Sequence, residues 1–188
     1  MPSSILNFRT ILLLAVILVS AVVAQFQSSI NAYYYQIIIY IGINVILASS
    51  LNLVNGFTGQ FSLGHAGFMA VGAYTASVIT SELGASAGIT GSFIFLLALL
   101  SGGLIASFFG LLVGIPSLRL KGDYLAIVTL GFGEIIRVVI QNIDYLGGAR
   151  GFTGIAKKTD FFWVFTVVAV LMYILSNLIR STYGKGFL

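Results

Sequence analysis

The side chains best equipped for chemistry in this sequence sit inside an apolar run. Glu134 and Arg137 interrupt Tyr124–Asn142 three residues apart, which places them on one helical face where they can pair. Inserted separately near the centre of a membrane helix, each charge would cost about 2.5 to 3.5 kcal/mol, so pairing offsets a penalty and this face should avoid lipid. Two roles stay open for the pair: a structural clamp, or the lining of a polar route. His65 is the only histidine. One imidazole is a poor basis for a metal site, and no acid stands at helical spacing from it to form a proton relay. That leaves hydrogen bonding or pathway lining as its roles.

The remaining inventory is small. With five acidic residues and no cysteine, hydrolytic or metal chemistry has little to stand on. Gly184-Lys185-Gly186 lacks both the preceding loop and the hydroxyl residue of a phosphate-binding turn. The expectation is a protein that is not an enzyme, with no catalytic, cofactor-binding or metal-ligating residues. Nine basic residues give a formal charge of +4, but they are scattered between apolar runs and make no nucleic-acid groove. They read instead as signals of membrane topology.

The elements that must position these groups follow from composition. Of the 188 residues, 59% are hydrophobic and 7% charged, against roughly 25% charged in a soluble domain. Such a chain needs lipid as its solvent, and long continuous apolar runs point to helices rather than the short alternating strands of a barrel. The expected fold is an all-α polytopic transmembrane helical bundle of about six spans. They are Ile11–Phe26, Tyr33–Val54, Phe61–Thr80, Ser92–Ile115, Tyr124–Asn142 and Phe161–Ile179. The first run follows Arg9 and is read as an uncleaved span rather than a signal peptide. Tyr33-Tyr34-Tyr35 suits a headgroup belt, Asn44 and Asn52 share a face expected to meet protein, and Pro116 should stop the fourth span. Ser81–Gly91 reads as a polar loop. The charge-bearing fifth segment could instead be re-entrant, which would reverse everything after it.

With a cytoplasmic amino terminus, the inner segments hold Arg9, Arg119, Lys121, Arg180 and Lys185. The outer ones hold Arg150, Lys157 and Lys158, partly offset by Glu82, Asp144 and Asp160. This arrangement agrees weakly with the excess of basic residues expected inside. The 22 glycines favour close helix packing and interrupted helices. Asn55-Gly56-Phe57-Thr58-Gly59-Gln60 reads as a turn-like break whose backbone must meet protein, water or ligand. Around it, Asn52, Asn55, Gln60, Ser62 and His65 join Glu134 and Arg137 as candidates for a pathway or a packing seam. An ordinary interfacial turn would explain the same residues.

Two long blocks carry a resemblance. Asn52 to Phe68, reading NLVNGFTGQFSLGHAGF, and Pro116 to Arg137, reading PSLRLKGDYLAIVTLGFGEIIR, resemble the permease subunits of branched-chain amino acid ATP-binding-cassette importers, most strongly the M-type. The resemblance covers nearly the whole chain from the second span onward. It implies a bacterial or archaeal cytoplasmic (inner) membrane permease that forms part of the route for leucine, isoleucine and valine. The implied partners are a related H-type permease, two cytoplasmic ATP-binding subunits and an extracytoplasmic amino-acid-binding protein. Gly147 to Ile155 resembles the family's glycine-rich outer loop, so Arg150, Gly151 and Phe152 are candidate contacts for the binding protein, with a compact surface loop as the plain alternative. Ser181 to Leu188 resembles the start of a cytoplasmic segment that in the family continues into an ATPase-coupling helix. Residues 1–188 are therefore expected to be one permease domain, incomplete at its carboxyl end and doubtful as a transporter alone. The rival readings are a urea or short-amide importer permease and a non-transporting membrane assembly subunit.

Overall fold

In the computed structural model, which describes residues 3–25, 30–83, 89–117, 119–120, 122–155, 159–181 and 184, the apolar runs become α-helices. Among the described residues there are six: α1 (Ser3–Gln25), α2 (Ala32–Asn52), α3 (His65–Leu83), α4 (Ile89–Ser117), α5 (Asp123–Gln141) and α6 (Phe161–Arg180). Lys121, Lys157, Lys158, Lys185 and the middle of the Ser81–Gly91 loop lie outside the described residues, as does the side chain of Arg9. The all-α helical bundle expected from composition is what forms.

The number of qualifying spans is a correction. Three stretches are long and apolar enough to cross a membrane, Ala32–Phe57, Gly91–Ser117 and Phe161–Arg180, rather than about six. α1 runs for 23 residues, and Leu13–Gln25 is the apolar stretch of it among the described residues. The shortfall has a cause in the other two helices. Glycine, alanine, serine and threonine dilute α3, and α5 carries Asp123, Glu134 and Arg137. α4 ends at Ser117, one residue past the expected stop at Pro116, and holds the proline in its last turn.

The chain divides into two compact units, one formed by residues up to Gly59 together with those from Thr159 on, the other by Gln60–Lys158. In the first, α6 packs against both α1 and α2. The Asn31 side chain caps α2 by accepting the Tyr33 N–H at 3.0 Å. No side chain of Asp160 caps α6; instead the Tyr35 hydroxyl accepts the Phe161 N–H at 2.9 Å. A tyrosine expected only as a membrane-interface residue thus satisfies an orphan donor of another helix. A side chain at Gly42 would collide with Val164, so Tyr35 meets the start of α6 and Gly42 a point further along it. The two helices run in the same direction. Asn44 is exposed within this chain and donates back to the Tyr40 carbonyl at 2.8 Å.

In the second unit α3 and α4 form an antiparallel pair closed by small residues. A Cβ at Gly102 would stand 2.6 Å from the Gly72 carbonyl oxygen and 3.3 Å from the Ala76 Cβ. Apolar surface is abundant outside these contacts, with Leu104 72% exposed and Ile127 65% exposed, as expected of side chains solvated by lipid or by other subunits. The Gly102–Gly72 approach generates a direct test. Gly102→Leu should lower stability by about 1 to 3 kcal/mol, the usual cost of overpacking, read as a lower thermal midpoint in detergent. Gly103→Leu, which has open space around it, should leave the midpoint close to that of the unaltered protein. Equal effects at the two positions would contradict this account of the pair.

Candidate functional site

The break expected at Asn55–Gln60 begins later than the sequence suggests. Beyond Asn52 the helix widens into a π turn, Leu53–Phe57, and Thr58 N–H donates five residues back to the Leu53 carbonyl at 3.2 Å. The Thr58 hydroxyl also donates to the Val54 carbonyl, at 2.6 Å. Asn55 and Gly56 therefore lie in a hydrogen-bonded turn, with the Asn52 side chain folded over Gly56. The chain leaves the helix at Thr58, and Gly59, at φ +64°, adopts the left-handed conformation that glycine tolerates. Asn52 borders a largely apolar groove of about 700 Å³ between α1, α2 and α6, with Ser49, Tyr173 and Arg180.

Gln60 to Gly64 opens the second unit, and here the two signature blocks meet. The Leu63 N–H donates to the Thr129 hydroxyl at 3.0 Å, while that hydroxyl donates to the Ala126 carbonyl at 3.1 Å. A Cβ at Gly64 would stand 2.8 Å from the Thr129 carbonyl oxygen, and one at Gly67 would stand 2.9 Å from the Gly133 Cα. Only glycine lets these backbones come so close. At the far end, the Tyr145 hydroxyl donates to Glu82 at 2.8 Å, and this bond, reinforced by burial and the neighbouring charge, raises the tyrosine's pKa. Contacts advance together along both helices, so α3 and α5 run in parallel.

Glu134 and Arg137 pair as expected, with the Arg137 Nη1 at 3.3 and 3.1 Å from the two carboxylate oxygens. Both side chains are more than half exposed, 63% and 56%. In water such a pair would contribute at most about 1 kcal/mol. Arg137 stands one turn before Gln141, where α5 ends, rather than near the helix centre. The pair lines a pocket of about 230 Å³ between α3 and α5, with Gly67, Ala70, Tyr74 and Gln141 among its other walls. Gln60, Ser62 and His65 are half-buried nearby in sequence but do not line it. Asn52 and Asn55 belong to the other unit. Within the second unit, Glu134 and Arg137 line this pocket whereas Gln60, Ser62 and His65 do not.

The glycine-rich loop is compact. Two short 3₁₀ turns, Asp144–Leu146 and Gly148–Arg150, fold it back on the end of α5. Gly147, at φ +85°, has no room for a side chain beside the Gly151 carbonyl. Gly151 lies beside the Tyr74 hydroxyl, Phe152 is half-buried, and Arg150 is exposed. The loop therefore approaches the residue that also walls the Glu134–Arg137 pocket. Among the described residues no group of three histidine, cysteine or carboxylate side chains converges to hold a metal ion.

Tyr74 and Gln141 were not singled out by sequence reading, although helical spacing signals both: Tyr74 lies two turns beyond Gly67 and Gln141 one turn beyond Arg137. Thr129 carries no local signal, because its partner is distant in sequence. Thr129→Val should leave the Leu63 N–H without its acceptor and destabilise the protein by about 1 to 3 kcal/mol. Thr129→Ser should restore most of the loss. Thermal unfolding in detergent would decide, and equal stability of the valine and serine forms would refute the role given to this hydroxyl.

The chain is 44% identical over 120 residues to the high-affinity branched-chain amino acid transport system permease protein LivM of Escherichia coli, covering 63% of this chain and 26% of that protein. It is 43% identical to the protein of the same name from Salmonella typhimurium over the same shares. Against the probable branched-chain amino acid transport permease protein LivM of Methanocaldococcus jannaschii it is 27% identical, covering 79% of this chain and 54% of the relative. The chain thus spans about a quarter of the length of the first two relatives. No solved structure matches it. Residues 33–185 match the family described as branched-chain amino acid transport system / permease component, and the chain belongs to that family.

Proposed function

We propose that this chain is membrane-embedded permease structure of an ATP-driven importer for leucine, isoleucine and valine. The observation that carries the reading is the family match over residues 33–185, which includes both blocks that close the α3–α5 seam. In this reading the protein works with a related H-type permease, two cytoplasmic ATP-binding subunits and an extracytoplasmic binding protein, in a bacterial or archaeal inner membrane. ATP binding and hydrolysis in the partners move the permease pair, which opens first toward the loaded binding protein and then toward the cytoplasm. The chain itself performs no catalysis. It supplies helices and pathway surface, with the α3–α5 seam as the candidate pathway wall and Arg150, Gly151 and Phe152 as the candidate binding-protein contact.

All six helices cross the membrane in this proposal, with the amino terminus in the cytoplasm. Helix direction is compatible with the count, although a single crossing by α4 between α2 and α6 would satisfy it equally. Parallel α2 and α6 require an odd number of crossings between them, and α3, α4 and α5 supply three. Parallel α3 and α5 fit the same scheme, which gives α5 a full crossing rather than a re-entrant path. Pairing of Glu134 with Arg137, which lies one turn before the end of α5 and can reach toward the interface, lowers the cost of that crossing.

Because the sequence contains no cysteine, single cysteines are clean topology probes. Arg119→Cys and Arg150→Cys, both exposed positions, should react with a membrane-impermeant maleimide from opposite faces of sealed vesicles. Labelling from the same face would overturn the six-span scheme. For cargo, proteoliposomes holding the assembled complex should accumulate leucine, isoleucine and valine only with ATP and the loaded binding protein. Uptake of urea in their place would reject the branched-chain assignment.

A further inference from the structure

The Glu134–Arg137 pair is left open in a way that a closed structural clamp would not be. Both hydrogen bonds to Glu134 come from one guanidinium nitrogen, Nη1. Arg137 lines the pocket and makes no other hydrogen bond among the described residues, which leaves the rest of its planar donor set without a protein acceptor. That set matches the two oxygens of a carboxylate. Each Glu134 oxygen accepts from the same nitrogen and keeps lone pairs for a further donor. The pocket thus presents an acceptor and a donor of opposite charge side by side.

The surroundings narrow the ligand class. At about 230 Å³ the pocket suits a small molecule rather than a peptide or a lipid. Ala66, Ala70 and Leu130 give it apolar wall, and Tyr74 and Ile140 also border an apolar groove of about 690 Å³. Aliphatic surface therefore lies directly beside the charged pair. Charges this exposed on a membrane helix must face water, protein or cargo, because lipid solvates none of them.

Resting on the importer reading above, we propose that this pocket is a binding subsite for the zwitterionic head of an aliphatic amino acid. The α-carboxylate docks on Arg137, the α-ammonium docks on Glu134, and the side chain lies against the apolar wall. Binding exchanges one exposed ion pair for two complementary ones, so no charge is left alone at any stage. The nearby Gly151 loop puts the subsite at the end of α5 where proposed cargo arrives from outside.

The test uses the full permease complex in detergent, without the binding protein, and measures retained tritiated leucine. Unlabelled leucine should displace it, whereas leucinamide, lacking the carboxylate, and 4-methylpentanoate, lacking the ammonium, should compete at least about tenfold more weakly, the loss expected for one charge-assisted contact. Glu134→Leu/Arg137→Met removes both charges together, leaves neither unpaired, and should lower retention by about tenfold or more in a complex that still assembles. Full retention by this double variant, equal competition by either analogue, or no retention by the unaltered complex would each overturn the subsite. Should the double variant fail to assemble, the analogue competition on the unaltered complex decides alone. Failure of the importer reading is a separate result, seen as absent branched-chain uptake in the proteoliposome assay.

Discussion

Hydrocarbon offers no hydrogen bonds, so every N–H and carbonyl in an embedded chain must find its partner inside the protein. The helices meet this requirement by themselves along most of their length, and several of their polar side chains follow the same rule, the buried Thr166 hydroxyl of α6 being an exception. Ser49, Thr75, Thr80 and Ser107 each donate to a carbonyl four residues back. The difficulty is concentrated where a helix stops. At the end of α2 a π turn carries the ladder through Phe57, and Thr58 then closes it with both its N–H and its hydroxyl. At the start of α6 the orphan donor of Phe161 is met by Tyr35. Between Gly59 and α3, where the chain has no regular structure, the Leu63 N–H is met by Thr129 from α5.

That last solution sets a geometric condition on both helices. A threonine hydroxyl is short, so α5 must approach until its backbone nearly touches Gly64 and Gly67. Small residues make the approach feasible, and the hydrogen bond makes it favourable. The glycines of the first block and the Thr129–Gly133 stretch of the second are thus parts of one contact. The same device recurs between α3 and α4 at Gly72 and Gly102. Once α3 is fixed between two neighbours, its parallel course with α5 places Tyr74 beside Gln141 and the Gly151 loop.

Much of this architecture could be read from sequence because apolar run length directly measures membrane solvation. The six helices lie close to the six apolar runs, and the i, i+3 spacing correctly paired Glu134 with Arg137. What could not be read depends on contacts distant in the chain or on subtle backbone choices. Asn55-Gly56 looks like a turn by residue type, yet a widened helical turn satisfies it just as well. Tyr35 and Thr129 look like an interface tyrosine and a neutral helix residue until their partners are known. Apolar length also overstates the case for α3 and α5, whose small and charged residues serve packing and polarity at the expense of lipid solvation. His65, prominent because it is the sole histidine, does not line the pocket beside Glu134 and Arg137.

The charged pair is where these demands conflict, and its location shows how the conflict is eased. A lone carboxylate or guanidinium deep in hydrocarbon is costly, while two on successive turns carry no net charge and need only local screening. Arg137, one turn before the end of α5, is also closer to water than the helix centre would be. A neutral helix face would satisfy lipid better still, so lipid solvation alone gives no reason for the pair. Nor does packing, since α3 presents alanine and glycine there and both charged side chains remain largely exposed. The subsite proposed above, a protein-covered cavity that admits separated charge without net charge, would answer both points. Complementary charges then sit in the only kind of membrane environment where their exposure costs little.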